Sequence, residues 1–123
     1  MKVGVVGSRS FNDVRYIFEY LDAIKDITLL VSGGAKGPDS IAESWAKEHG
    51  IATQIFLPQW KTYGMQAGML RNSQIVEASD MIIAFWDGHS KGTSDTISKC
   101  CKLRKPIKII LVVDQTNTLL DFT

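Results

Sequence analysis

Three glycine-bearing turns carry the residue types best suited to hold a ligand, and each follows an apolar run typical of a buried β-strand. The first turn is residues 7–9 (Gly-Ser-Arg), the second is residues 32–37 (Ser-Gly-Gly-Ala-Lys-Gly) and the third is residues 87–93 (Asp-Gly-His-Ser-Lys-Gly-Thr). Glycine allows a backbone to approach a ligand closely, and a helix after the turn directs free N–H groups at that ligand. Such N–H groups favour anions, above all phosphate. The turns therefore predict a site for a nucleotide-like small molecule.

Two arginines add fixed positive charge to this prediction. Arg71 stands beside Asn72 in a predicted helix, and arginine binds phosphate or carboxylate through paired N–H groups. The alternative is a solvated surface arginine, which is the usual environment of a lone helical Arg. Arg9 has the same two interpretations, although its position just after Gly7 favours the ligand site.

The second turn is neither a Walker loop nor a dinucleotide fingerprint, because the glycine spacing of both motifs is absent. A glycine pair that opens a helix can contact a ligand or can form only a tight turn. Asp39, just after this turn, could cap N–H groups or accept hydrogen bonds from a ribose, and capping is the commoner role.

The third turn is the stronger candidate, because it combines two glycines, two hydroxyls and a lysine between a predicted strand and a predicted helix. Its N–H groups and the hydroxyls of Ser90 and Thr93 could surround a phosphate. A flexible turn with Thr93 as the helix cap is the alternative. The candidate ligand-binding residues of the whole chain are Gly7, Ser8, Arg9, Gly33, Gly34, Ala35, Gly37, Asp39, Arg71, Asn72, Asp87, Gly88, Ser90, Gly92 and Thr93.

Other chemistry-bearing residues form no recognisable catalytic or metal pattern. The two histidines, His49 and His89, have no metal-ligand spacing, and no carboxylate pair or nucleophile with a base is evident. We therefore assign no catalytic residue, metal or cofactor. The aromatic residues near predicted loops could stack on a base or could pack in a core or an interface. They are Trp60, Tyr63 and Trp86.

Length and composition limit the class of protein. The 123 residues fit one domain over residues 1–123, and the net charge of +1 argues against coating nucleic acid through charge alone. The adjacent cysteines at 100 and 101 favour reduced thiols in a cytoplasmic protein over a disulfide. No apolar run is long enough to span a membrane, and the first residues begin a strand rather than a signal peptide.

Strands and helices alternate along the chain, which predicts a Rossmann-like three-layer α/β sandwich with a parallel five-stranded sheet. All three turns then lie at the carboxyl ends of strands, where such sheets bind ligands. The tail 114–123 stays unassigned, and residues 58–64 are predicted as a loop. Strands are predicted near 3–6, 27–31, 52–57, 81–85 and 107–113, and helices near 14–24, 38–49, 65–78 and 93–103.

The order and spacing of these motifs resemble those of the SLOG superfamily, and within it the small bacterial and phage proteins called YspA-like or YpsA-related. The matching segments are residues 7–11, 32–39, 58–60, 64–72, 78–88 and 90–93. The resemblance implies a Rossmann-like domain that binds a nucleotide or a nucleotide-derived, ADP-ribose-like ligand. It also implies a homo-oligomer, since relatives commonly self-associate. Relatives include DNA-processing protein A, which binds single-stranded DNA, and the LOG-type phosphoribohydrolases.

One departure from the LOG-type enzymes bears on catalysis. Gly92 and Thr93 match their Gly-Thr turn and Arg71 matches their arginine, but the position of their catalytic glutamate is Thr96. Asp95 is one residue early, which rotates a helical side chain by about 100°. The resemblance therefore implies a protein that senses or sequesters a ligand. A phosphoribohydrolase that uses Asp95 or Asp87, and single-stranded DNA binding, are the alternatives.

Overall fold

The computed structural model describes residues 1–113, which form five strands and five α-helices. The strands are β1 (Lys2–Gly7), β2 (Leu29–Ser32), β3 (Ala52–Ile55), β4 (Met81–Trp86) and β5 (Ile107–Leu111). The helices are α1 (Val14–Asp22), α2 (Pro38–Glu48), α3 (Trp60–Tyr63), α4 (Ala67–Ala78) and α5 (Lys91–Leu103), with a 3₁₀ turn at Gly64–Gln66. The unassigned tail lies outside the described residues.

All neighbouring strands are parallel, and the sheet order is β3-β2-β1-β4-β5. This confirms the predicted Rossmann-like α/β fold. The chain first adds β2 and β3 on one side of β1 and then adds β4 and β5 on its other side. The strand order therefore reverses between β1 and β4. A crevice forms at such a switch point, outside the carboxyl ends of the strands.

The core consists of two apolar clusters, one on each face of the sheet. Val3 and Val5 of β1 pack with Ile17 of α1 and Trp45 of α2 on one face. Val6 packs on the other face in the second cluster, whose buried members include Ile75 and Val76 of α4 and Cys100 of α5. Each fully buried large aliphatic side chain contributes about 1.5–3 kcal/mol by leaving water. The two clusters thus fix the helices around the crevice.

The predicted loop 58–64 is wrong in one respect, because α3 occupies Trp60–Tyr63 within it. This helix is a single turn with no buried residue, so it has no apolar periodicity from which it could be predicted. The following helix also begins later than predicted, at Ala67, since the 3₁₀ turn precedes it. Among the described residues, no helix combines the length and the apolar character that crossing a bilayer requires.

Candidate functional site

A cleft of about 460 Å³ opens at the switch point between β1 and β4, within the size range of small-molecule sites. The carboxyl end of β1, the beginning of α5 and one face of α4 form its walls. The residues that line it are Val6, Gly7, Arg9, Ser10, Ala35, Asp39, Arg71, Asn72, Ile75, Ser90, Lys91, Gly92, Thr93 and Thr96. We call this space the main cleft.

The N-terminus of α5 presents free N–H groups to the main cleft. Ser90 is the residue that precedes the helix, and the first hydrogen bond of the helix runs from Ser94 N to Ser90 O at 3.1 Å. Within residues 1–113, the N–H groups of Lys91, Gly92 and Thr93 have no acceptor, and the first turn of α5 has no acidic side chain. All three residues line the cleft, so their N–H groups and the positive end of the helix dipole favour an anion there.

The second turn directs its N–H groups inward, which differs from the sequence-based expectation. The N–H groups of Gly33 and Ala35 donate to Asp39 Oδ2 at 3.0 and 3.4 Å, and that of Gly34 donates to Ser32 Oγ at 3.1 Å. Asp39 thus caps the turn that precedes its helix rather than the helix itself. The second turn therefore offers a ligand fewer free donors than its glycines predict.

Asp39 keeps one oxygen for the main cleft. Its side chain is only 4% exposed and lines the cleft, and both hydrogen bonds from the turn go to Oδ2. Burial raises the pKa of Asp39 to about 6, although the N–H groups of Gly33 and Ala35 and the charge of Arg71 act in the opposite direction. Within the described chain Oδ1 accepts no hydrogen bond, so it can accept one from a hydroxyl in the cleft.

Arg71 crosses the cleft from α4 to the second turn. Its Nη1 donates to Gly33 O at 2.6 Å and its Nε donates to Asn72 Oδ1 at 3.0 Å. A Cβ at Gly33 would lie 2.5 Å from Nη1, so any larger residue at this position would displace the guanidinium group. Burial lowers the pKa of Arg71, while the charge of Asp39 raises it and that of Arg9 lowers it. The side chain is thus fixed by Nη1 and Nε, and within residues 1–113 Nη2 has no hydrogen-bond partner and can bind an anion.

Side chains of the first and third turns hold the two turns together. The N–H groups of His89 and Ser90 each donate to Asp87 Oδ1 at 2.8 Å, and Asp87 N donates to Ser8 Oγ at 2.9 Å. Partial burial raises the pKa of Asp87, but these N–H donors and the hydroxyls of Ser90 and Ser8 together lower it to about 2. The carboxylate of Asp87 therefore organises the turn.

A second chamber of about 300 Å³ adjoins the main cleft and shares Arg9, Ala35 and Arg71 with it. Its other lining residues are Gly33, Gly34, Lys36, Leu57, Pro58 and Trp60. Trp60 is therefore the one of the three predicted stacking aromatics that lines a cavity. Trp86 instead donates its indole N–H to Ser90 O at 3.1 Å, and Tyr63 lines neither cavity.

The predicted site residues fall into three groups. Those in the main cleft are Gly7, Arg9, Ala35, Asp39, Arg71, Asn72, Ser90, Gly92 and Thr93. Gly33 and Gly34 lie in the second chamber. Ser8, Gly37, Asp87 and Gly88 line neither cavity. The backbone explains the glycine at position 37, since its φ is 83° and an added Cβ would lie 3.0 Å from the carbonyl oxygens of Ser8 and Arg9.

Several residues that line the cavities were not predicted to bind a ligand, namely Val6, Ser10, Lys36, Leu57, Pro58, Ile75, Lys91 and Thr96. Lys36 and Lys91 lie inside the predicted turns, so their position in the sequence could have indicated a ligand role. Thr96 follows Thr93 by one helical turn, which places both on one face of α5. Leu57 and Pro58 follow β3, whose carboxyl end meets the same edge of the sheet.

Comparisons with known proteins agree with this architecture. The model of the family described as YspA, cpYpsA-related SLOG (YAcAr) matches residues 1–63. The Gene 61 protein of Mycobacterium phage D29 is 31% identical over 119 residues, covering 86% of this chain and 93% of that protein. The chain belongs to the YspA, cpYpsA-related SLOG family. The resemblance inferred from the motifs is thereby confirmed.

Two solved structures share the fold of this SLOG domain. DNA processing protein A (DprA) from Streptococcus pneumoniae has a TM-score of 0.75 at 18% identity, over 99% of this chain and 62% of that chain. DNA processing protein A from Helicobacter pylori has a TM-score of 0.72 at 21% identity, over 99% of this chain and 72% of that chain, and its structure is described for its single-stranded DNA binding mode. This chain thus spans about 62% of the length of the pneumococcal protein.

In this SLOG family member, the carboxylates suggested for catalysis are engaged elsewhere. Asp95 pairs with Lys99 and accepts from Asn72 Nδ2 at 3.0 Å, and Asp87 organises the third turn. Thr96 donates its hydroxyl to Gly92 O at 3.3 Å. Asp39 is the one carboxylate among the described residues that lines the main cleft. Residues 1–113 bring together no group of three or more His, Cys, Asp or Glu that could hold a metal ion.

Proposed function

We propose that the main cleft binds a nucleotide or a nucleotide-derived ligand through its phosphate. The observation that carries this proposal is the N-terminus of α5, where Lys91, Gly92 and Thr93 present free N–H groups to a cavity that also contains Arg71 and Arg9. Backbone N–H groups, the positive end of a helix dipole and two guanidinium groups border the same cavity, and each of them favours phosphate.

The two cavities suit the other parts of a nucleotide. Asp39 Oδ1 is the acceptor that a ribose hydroxyl would meet in the main cleft, since Oδ2 is occupied by the second turn. A base would stack in the second chamber on Trp60, which is 55% exposed. Because Arg9 and Arg71 border both cavities, their guanidinium groups would contact a ligand that extends from the main cleft into the second chamber.

Calorimetric titration of AMP, GMP and ADP-ribose into the wild type and Arg71→Ala tests this function. We expect Arg71→Ala to lose about 10- to 100-fold in affinity, as is usual for a hydrogen bond to a charged group. Arg15→Ala is the matched control, because Arg15 is an exposed arginine that pairs with Glu19 on α1. Equal affinities of the wild type and Arg71→Ala would remove Arg71 from the site.

Single-stranded DNA is a second candidate ligand, and the second chamber is the observation that favours it. An exposed indole, Trp60, lies there beside the cations Arg9, Lys36 and Arg71, and base stacking beside cations is how single strands are bound. The structural neighbour from Helicobacter pylori is described as binding single-stranded DNA.

An oligothymidine titration at several salt concentrations separates the two candidates. Three phosphate contacts predict a slope of log K against log salt of about −2 for a single strand. Trp60→Ala should weaken this binding, whereas Tyr63→Ala, an exposed aromatic on the same helix that lines neither cavity, should not. Affinity that is independent of salt, or no affinity, would rule out this candidate.

A further inference from the structure

We propose that Asp95, which lies outside both cavities, is a positioning residue that holds Arg71 in its binding orientation through Asn72. This inference rests on the proposed phosphate-binding role of Arg71.

A chain of hydrogen bonds connects the two residues. Arg71 Nε donates to Asn72 Oδ1 at 3.0 Å, and Asn72 Nδ2 donates to Asp95 Oδ2 at 3.0 Å and to Gly92 O at 3.2 Å. Asn72 is only 6% exposed, so solvent does not compete effectively for these bonds. We call Arg71, Asn72 and Asp95 the relay.

Asp95 and the carbonyl of Gly92 together determine which way the amide of Asn72 points. Asp95 and the carbonyl of Gly92 are both acceptors, so the amide must direct its NH₂ group toward them. The amide oxygen is then directed at Arg71, where it accepts from Nε. A reversed amide would place an NH₂ group against the Nε–H group and an oxygen against two acceptors, which leaves several buried groups unpaired.

Asp95 is itself fixed by Lys99, one helical turn further along α5. Lys99 Nζ forms a salt bridge with Asp95 Oδ2 and also donates to Met69 O of α4 at 2.8 Å. Because Asn72 also bonds the carbonyl of Gly92, the relay connects Arg71 to the turn of α5 that presents the free N–H groups. The guanidinium and the N–H donors therefore form one preorganised anion site.

The expected effects distinguish positioning from simple stabilisation. The side chains of Asp95 and Lys99 are only 23% and 20% exposed, so loss of Asp95 from this mostly buried pair lowers stability whether or not Asp95 positions Arg71. A merely structural Asp95 would lower the free energy of unfolding when removed but would leave solvent exchange of the Arg71 Nε–H proton in the folded protein unchanged. A positioning Asp95 controls the orientation of the Arg71 guanidinium whether or not a ligand is bound.

The test compares Asp95→Ala, Asp95→Asn and the control Ser98→Ala, an exposed position on the same helix. The readout without ligand is solvent exchange of the Arg71 Nε–H proton, measured by nuclear magnetic resonance, with the Arg15 Nε–H proton as internal reference. We expect Asp95→Ala to accelerate exchange at Arg71 by about tenfold, as for loss of one hydrogen bond, and the other two variants by less than about threefold. Asparagine at 95 should preserve the relay, because its carbonyl still accepts from Asn72.

The readout with ligand is AMP affinity, determined by calorimetry. Asp95→Ala should weaken binding by about three- to tenfold, and should have no further effect in the Arg71→Ala background, because residues of one network are not additive. If Asp95→Ala does not fold, Asp95→Ser gives the same comparison, since serine is too short to reach Asn72 Nδ2.

Unchanged Arg71 exchange in Asp95→Ala would overturn the relay, whatever the affinities. If exchange accelerates as expected but the wild type binds no nucleotide, the relay holds Arg71 as inferred and the proposed function fails. Equal loss of affinity in Asp95→Ala with and without Arg71 would also overturn the positioning role.

Discussion

At the scale of the residue, two aspartates of the turns have opposite electrostatic environments. Burial raises the pKa of Asp39 to about 6, whereas the donors around Asp87 lower its pKa to about 2. The carboxylate of Asp87 accepts hydrogen bonds from within its own turn. Asp39 lines the main cleft, and its Oδ1 accepts no hydrogen bond from residues 1–113. Perturbed carboxylates in clefts are typical of functional sites.

Asp39→Asn should change the pH dependence of stability. The folded pKa of about 6 lies above the ordinary value of 3.8, so folding takes up a proton between these pH values. Stability therefore falls as pH rises from about 4 to about 6, by ~3 kcal/mol. Asparagine keeps an acceptor for Gly33 N–H without the buried charge. The variant should therefore be more stable than the wild type at pH 7 but not at pH 4.

Urea unfolding at the two pH values checks this expectation, because the linear extrapolation gives the free energy of unfolding at each. Glu48→Gln, an exposed acid at the end of α2, is the control and should change little. A stability difference between Asp39→Asn and the wild type that is the same at pH 4 and pH 7 would contradict the assigned pKa.

At the scale of the element, α2 and α5 begin at the same edge of the sheet but are not equivalent. The first turn of α2 contains Asp39, which takes up the N–H groups of the preceding turn. The first turn of α5 has no acidic side chain, and its N–H groups have no acceptor in the part of the chain that the structure describes. An anion is therefore favoured at α5 and disfavoured at α2.

This difference shows how far the sequence could predict the site. Apolar runs and the glycines that end them placed the three turns at one edge, because parallel strands direct their carboxyl ends together. The sequence could not show that Asp39 turns back to Gly33 and Ala35, since this depends on how a loop packs against α2. The same holds for Arg71, whose path over Gly33 joins residues 38 positions apart.

At the scale of the whole molecule, positive charge is concentrated in the cavities. The net charge is only +1, yet Arg9, Lys36, Arg71 and Lys91 line the two spaces with Asp39 as the one acid among their lining residues. A focused field of this kind attracts a small anion more than it coats a polymer. Self-association stays a prediction, which sedimentation equilibrium checks, and exposed Met65 and Leu111 are apolar surface that supports it.

We expect phosphate to bind at the N-terminus of α5. Titration of ¹⁵N-labelled protein with AMP, followed by amide chemical shifts, tests it most directly. We predict saturable shifts of the Lys91, Gly92 and Thr93 amides, and much smaller shifts at the same amides with adenosine, which lacks the phosphate. Saturation by AMP without shifts at these three amides, or equal shifts with adenosine, would contradict the claim.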